Sequence, residues 1–152
     1  MSHSSSSDIT DIDEYRLVRG QIEFEDSLIT QRLSWFVAAQ SFLFTAYAIT
    51  LNAPVQSASP GFHAQQDLVY HLIPVVAIAS CVLIYAGIVG GFAAQKHLRD
   101  YLARKIPADR LAAFPGVQGA KGTRALGKAA PLGLPIVFVA VWLFLFTRGI
   151  VV

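Results

Sequence analysis

Charge is scarce in this chain: Asp, Glu, Lys and Arg make up 14 % of the 152 residues, against 54 % hydrophobic residues. A soluble domain of this length needs more polar surface, and the mean hydropathy of +0.50 points the same way. Cysteine is scarcer still. The single Cys81 excludes a disulfide framework and a cysteine-based zinc site. A strong excess of one sign of charge is missing too. The net charge of +2 is too small to point to nucleic acid as a partner. The length allows one compact unit and no second domain.

What the chain does have is long uncharged runs. No charged residue lies between Arg32 and Asp67, and the apolar part of that gap is 33–51. At about 1.5 Å per residue this is roughly 28 Å of helix, close to the thickness of a hydrocarbon core. A second run extends from Leu68 to Gln95 and a third from Ala129 to Thr147. The predicted fold is therefore all-α, a membrane protein with three transmembrane helices at 33–51, 68–94 and 130–147. Pro131 and Pro135 fall in the first two turns of the third span, where a missing backbone donor costs least.

The distribution of Lys and Arg gives the orientation. There are three up to Arg32, none from Asn52 to Asp67, eight from Lys96 to Lys128, and Arg148 near the end. Positive charge stays inside, so the N-terminus and the loop 95–128 are predicted to be cytoplasmic, and the first loop and C-terminus outside. A cleaved leader would start short and basic. Here Asp8, Asp11, Asp13, Glu14, Glu23, Glu25 and Asp26 precede the first span, so it is expected to be a retained anchor. Trp35, Tyr47, Tyr70 and Trp142 are expected near the interfaces, and Tyr85 in packing.

Residues 1–10 are read as a disordered Ser-rich tail, and 11–152 as a single membrane domain. With no Pro from Asp11 until Pro54, one helix capped near Thr10 or Asp11 is predicted to run unbroken from the cytoplasm into the membrane. It would project about 30 Å beyond the bilayer and, being polar, should pack on something. The first loop, with Pro54, Pro60 and Gly61, reads as turns. Leu98, Tyr101, Leu102, Ile106 and Leu111 among basic residues predict a continuation of the second helix, broken at Pro107. The Gly-rich stretch from Pro115 to Lys128 is expected to be mobile.

At 100° per residue, Arg16, Glu23, Ser27, Ser34, Ser41, Thr45 and Asn52 fall along one side of the first helix. Two uses fit the membrane part of that stripe. Small and hydroxyl residues allow close helix contact with interhelical hydrogen bonds. The same residues could line a hydrated pore in a symmetric oligomer. Gly87 and Gly91, four apart on the second span, predict close approach of another backbone. Arg19, Glu23, Glu25, Asp26 and Arg32 are read as a cytoplasmic salt-bridge network, with a cation site as the alternative.

His63, Asp67 and His71 recur every four residues and are weak metal candidates, because the set drifts about 40° per step on a helix. No metal site and no cofactor are predicted. Gly122 to Lys128 reads G-T-R-A-L-G-K, the opening of a phosphate-binding loop, but Ala129 stands where Ser or Thr should hold magnesium. It is taken as chance. No nucleophile, base and orienting group can be assembled, so no enzyme is expected.

The run E-D-S-L-I-T-Q-R-L-S-W-F-V-A-A-Q-S-F-L-F-T-A-Y-A, from Glu25 to Ala48, resembles the first helix of a family of small uncharacterised bacterial inner-membrane proteins. The resemblance implies a bacterial inner-membrane location and a defined role for that helix, with Glu25, Asp26, Arg32, Trp35 and Gln40 as its first residues to test. The function expected is non-catalytic: a self-associating helical bundle or an accessory subunit of a membrane complex. The alternative is a homo-oligomeric ion channel lined by the first helix. The expected partners are the lipid bilayer and a second copy or another membrane protein.

Overall fold

The structure is a computed structural model that describes residues 3–52, 60–107 and 121–151. They form three helices and, among the described residues, no strand: α1 (His3–Leu51), α2 (Pro60–Lys105) and α3 (Lys121–Val151). Each is long and apolar enough to cross a membrane. The chain is an all-α membrane protein with three spans.

α1 contains 49 residues, about 74 Å of helix. It exceeds a roughly 30 Å hydrocarbon core, so much of it stands outside the bilayer. Its uninterrupted course follows from the lack of Pro, with Gly20 its one Gly. It begins at His3, ahead of the cap expected at Thr10 or Asp11, so helical backbone takes in most of the Ser-rich tail. Its end is fixed by Asn52, whose backbone N–H reaches the carbonyls of Ala48 and Ile49 at 3.2 Å. The Asn52 side chain donates to Ala48 at 2.8 Å as well. The exposed carbonyls of a last helical turn are met this way.

α2 opens on Pro60, where the ring's fixed φ suits a first turn, so the stretch 60–66 expected as turns is helical. It runs to Lys105, and the backbone of Ile106 still bonds Leu102 at 3.0 Å before Pro107 ends the helix. α3 starts at Lys121, well ahead of the span predicted at 130–147. The G-T-R-A-L-G-K stretch is therefore helical and does not form a phosphate loop. The residues about Pro54 and from Pro115 to Gly119 lie outside the described set.

α1 and α2 pack antiparallel along nearly their whole length through a seven-residue repeat. On α1 the covered positions include Tyr15, Val18, Ile22, Ile29, Phe36, Gln40 and Tyr47, and on α2 Ala77, Cys81, Ile88, Gly91, Gln95 and Leu102. Such a spacing keeps a seam facing its partner along two long helices. Outside the membrane the seam becomes a two-helix stalk, with Tyr15, Val18, Ile22, Leu102 and Ile106 as its core and Leu98 beside it. The polar first part of α1 thus has the packing partner it needs. Lys105 and Tyr101 hold Glu14 at the stalk's far end.

α3 packs against both, and it completes an aromatic core toward the end of α1. Phe44 stacks on Trp142 at 4.4 Å, Tyr47 stacks on Tyr70 at 5.1 Å, and Phe36 meets Phe138 edge-on at 5.3 Å. Ring pairs in these geometries add to the area that they bury.

Candidate functional site

Deep in the membrane portion, one amide ties the three helices together. Gln40 of α1 is fully buried. Its Nε2 donates to Ser80 Oγ of α2 at 2.8 Å and lies 3.4 Å from the carbonyl of Ala77. Its Oε1 accepts the indole N–H of Trp142 of α3 at 2.7 Å. Ser80 in turn donates its hydroxyl hydrogen bond to the carbonyl of Ala77 at 2.8 Å. Among the described residues no buried side-chain polar atom is left without a partner. Hydrocarbon supplies no hydrogen-bond partners, so an amide here must be satisfied within the protein, and this one is.

Trp142 was expected at the outer interface. It is completely buried, because its ring fills the space between α1 and α2 while its N–H reaches Gln40. Tyr47 is buried as well, between Tyr70 and Trp142. Cys81 lies in the α1–α2 seam beneath Gln40, 3.6 Å from Nε2.

Toward the stalk, the five residues read as one charge network separate into distinct contacts. Arg19 and Glu23 pair along α1 at 2.9 Å. Asp26 accepts a 2.6 Å hydrogen bond from the buried Gln95 of α2. Arg32 donates to the backbone carbonyl of Gly87 at 3.2 Å. Glu25 lies against Gly91, where a Cβ built on that glycine would come 3.6 Å from Glu25 Oε2. Asp26 and Arg32 are thus used across helices.

The paired glycines differ. A Cβ at Gly91 would meet Ile29 Cδ1 and Cγ1 at 3.1 Å, so this position carries a close helix approach. At Gly87 a Cβ would meet nothing within 4 Å, and what Gly87 contributes is its carbonyl.

The polar stripe faces outward. Ser34, Ser41 and Thr45 are all exposed, so among the described residues neither of the other helices covers them. Each hydroxyl bonds the carbonyl four residues earlier: Ser34 to Thr30 at 3.1 Å, Ser41 to Val37 at 2.9 Å and Thr45 to Ser41 at 2.9 Å. Asn52 caps the end of α1.

At the opposite end of the bundle, His71 Nδ1 lies 2.9 Å from the Asp67 carbonyl and 3.5 Å from its carboxylate. With His63, Asp67 and His71 do not form a three-ligand group, nor does any other His, Cys, Asp or Glu set among the described residues. His63 and Asp67 instead line a shallow cleft with Gln66, whose amide donates to the Thr50 carbonyl at 2.9 Å.

Sequence reasoning reached Asp26 and Arg32 through the clustering of charge as well as the resemblance, and Gln40 through the resemblance alone, but it missed Gln95, Ser80 and the inward turn of Trp142. Gln95 was findable, because it falls on the same seven-residue series as Cys81, Ile88 and Leu102.

Three helices able to cross a bilayer, joined by a satisfied polar core, define a small multi-pass integral membrane protein. No protein-family model, curated protein or solved structure matches the chain.

Proposed function

We propose that the chain is a non-catalytic membrane protein that assembles with further copies of itself, or as an accessory subunit, through the outward side of α1. The observation that carries this is the exposed row of Ser34, Ser41 and Thr45 within the membrane portion. Hydroxyls that already bond their own helix leave a low, self-satisfied ridge, against which another backbone can come close without stranding a polar atom. The Lys and Arg distribution supports a cytoplasmic N-terminus and stalk and an external C-terminus. The resemblance across Glu25 to Ala48 supports a bacterial inner membrane as the location.

The same row supports a second reading, a pore lined by α1 in a ring of copies. Packing is favoured because all three hydroxyls have partners without water. The test is the mass of the detergent-solubilised protein by light scattering. More than one chain per particle is expected, and a monomer would overturn both self-association and the pore.

A further inference from the structure

On one flank of the seam the helices part and leave an open groove of about 730 Å³ between α1 and α2. It is lined by Leu28, Trp35, Phe36 and Ala39 of α1 and by Leu83 and Ile84 of α2, and among the described residues none of α3 lines it. The groove lies within the size range of ligand sites, roughly 300–1,000 Å³. Its lining is apolar except for Ser80, whose hydroxyl is already bonded to Gln40 and Ala77, and, toward the stalk end, Arg32 with Gln31.

Arg32 is half-buried, and its one hydrogen bond among the described residues runs to the Gly87 carbonyl at 3.2 Å. A guanidinium has five N–H donors and cannot shed its charge. None of the described carboxylates forms an ion pair with it, and Glu25 is turned to Gly91, a helical turn further along α2. A cation at the edge of the hydrocarbon needs an anion, and an apolar channel leading from it needs an apolar filling. One molecule supplies both.

We propose that this groove binds an anionic glycerophospholipid, its phosphate on Arg32 and one acyl chain along Trp35, Ala39 and Leu83. Charge complementarity selects the occupant: a lone unpaired guanidinium over an apolar trough matches a single phosphate joined to hydrocarbon. At 100° per residue the groove lies on a different side of α1 from Ser34, Ser41 and Thr45, so lipid binding does not depend on the assembly proposed above.

Trp35 is 71 % exposed at the groove's lip, whereas Trp142 is wholly buried, so quenching of tryptophan emission reports mainly on Trp35. The full chain is reconstituted in phosphatidylcholine bilayers carrying a small fraction of bromine-labelled phosphatidylglycerol or of bromine-labelled phosphatidylcholine. The expected result is about a fivefold preference for the anionic quencher, the contribution of one basic residue to binding at an anionic surface. It should fall to none in Arg32→Gln and persist in Arg32→Lys. Ala39→Phe, which fills the trough and keeps the charge, should weaken quenching by the anionic lipid. Inorganic phosphate should not compete, since it lacks the chain. Equal quenching by both lipids in the unaltered protein would overturn the proposal, and so would a preference that survives Arg32→Gln or competition by free phosphate. Protection from both quenchers would overturn it too, by showing the groove covered by another copy. If Arg32→Gln does not fold, the result from Ala39→Phe decides: undiminished anionic quenching there overturns the site.

Discussion

The indole N–H of Trp142 and the side-chain carbonyl of Gln40 are joined at 2.7 Å across two helices that otherwise meet through aromatic rings, and both residues are fully buried. Gln40→Leu would leave the indole donor without a partner in hydrocarbon, and Trp142→Phe would remove that donor along with some packing. Each single change should destabilise the bundle by about 1–3 kcal/mol, the cost of stranding a buried polar group or opening a core. In a double-mutant cycle read from unfolding in mixed micelles, the coupling should fall near 0.6–1.7 kcal/mol, roughly the range for interhelical hydrogen bonds in membranes. Additive effects would mean that the bond contributes nothing.

Gly87 and Gly91 should respond with opposite signs. Gly91→Ala places a methyl 3.1 Å from Ile29 and should lower the melting temperature, with Gly91→Leu costing about 1–3 kcal/mol by overpacking. Gly87→Ala meets open space and gains helix propensity, so its stability should hold or rise by up to about 1 kcal/mol. Equal losses at both positions would contradict the separation of their roles.

These two glycines show what the sequence can and cannot convey. Spacing alone makes them equivalent, since both belong to one four-residue pair, whereas the choice between them depends on where Ile29 falls across the seam. The spans were legible because a bilayer imposes uncharged length, which is a property of composition. Trp142 was misplaced for the converse reason: its ring satisfies an interface and a core equally well, and what decides is an amide 102 positions away. The outward stripe was visible as a pattern, but a helical projection gives angles between residues and not the direction in which the neighbouring helix lies.

At the stalk's far end the sign of the pH dependence follows from one contact. The Lys105 hydrogen bond holds the Glu14 carboxyl below its ordinary value, against desolvation and with further help from Tyr101. The same bond, and then Tyr101, raise Lys105. The stabilisation from Glu14 is therefore present above the ordinary carboxylate range and lost as pH falls through its lowered folded value. That from Lys105 is present below the ordinary lysine value and lost as pH rises through its raised one. Spin labels at Arg16 and Arg104, with Cys81 replaced by Ala, should give one narrow distance at neutral pH that broadens on acidification. Glu14→Gln should be broad already at neutral pH and show little further change. Distances in the unaltered stalk that ignore pH would refute this.

Orientation is tested by labelling. With Cys81 replaced by Ala, a cysteine introduced at Ser57 should react with an impermeant maleimide on intact cells, and one at Gly119 only after permeabilisation. The reverse pattern would invert the topology inferred from the basic residues.

Ser41→Leu separates packing from conduction, because the same added bulk acts differently in the two arrangements. In a water-lined pore, leucine at this depth should close the path by dewetting, abolishing ion flux in liposomes while the oligomer stays assembled. At a helix contact, the branched side chain holds two backbones apart, so particle mass should fall toward that of one chain. The second result is expected, with no flux from the unaltered protein at any voltage. Ser41 already donates to the Val37 carbonyl at 2.9 Å, so the helix presents there a small surface that needs neither water nor an ion to satisfy it. Flux from the unaltered protein that disappears in an intact Ser41→Leu oligomer would reverse this ordering and make α1 the wall of a channel.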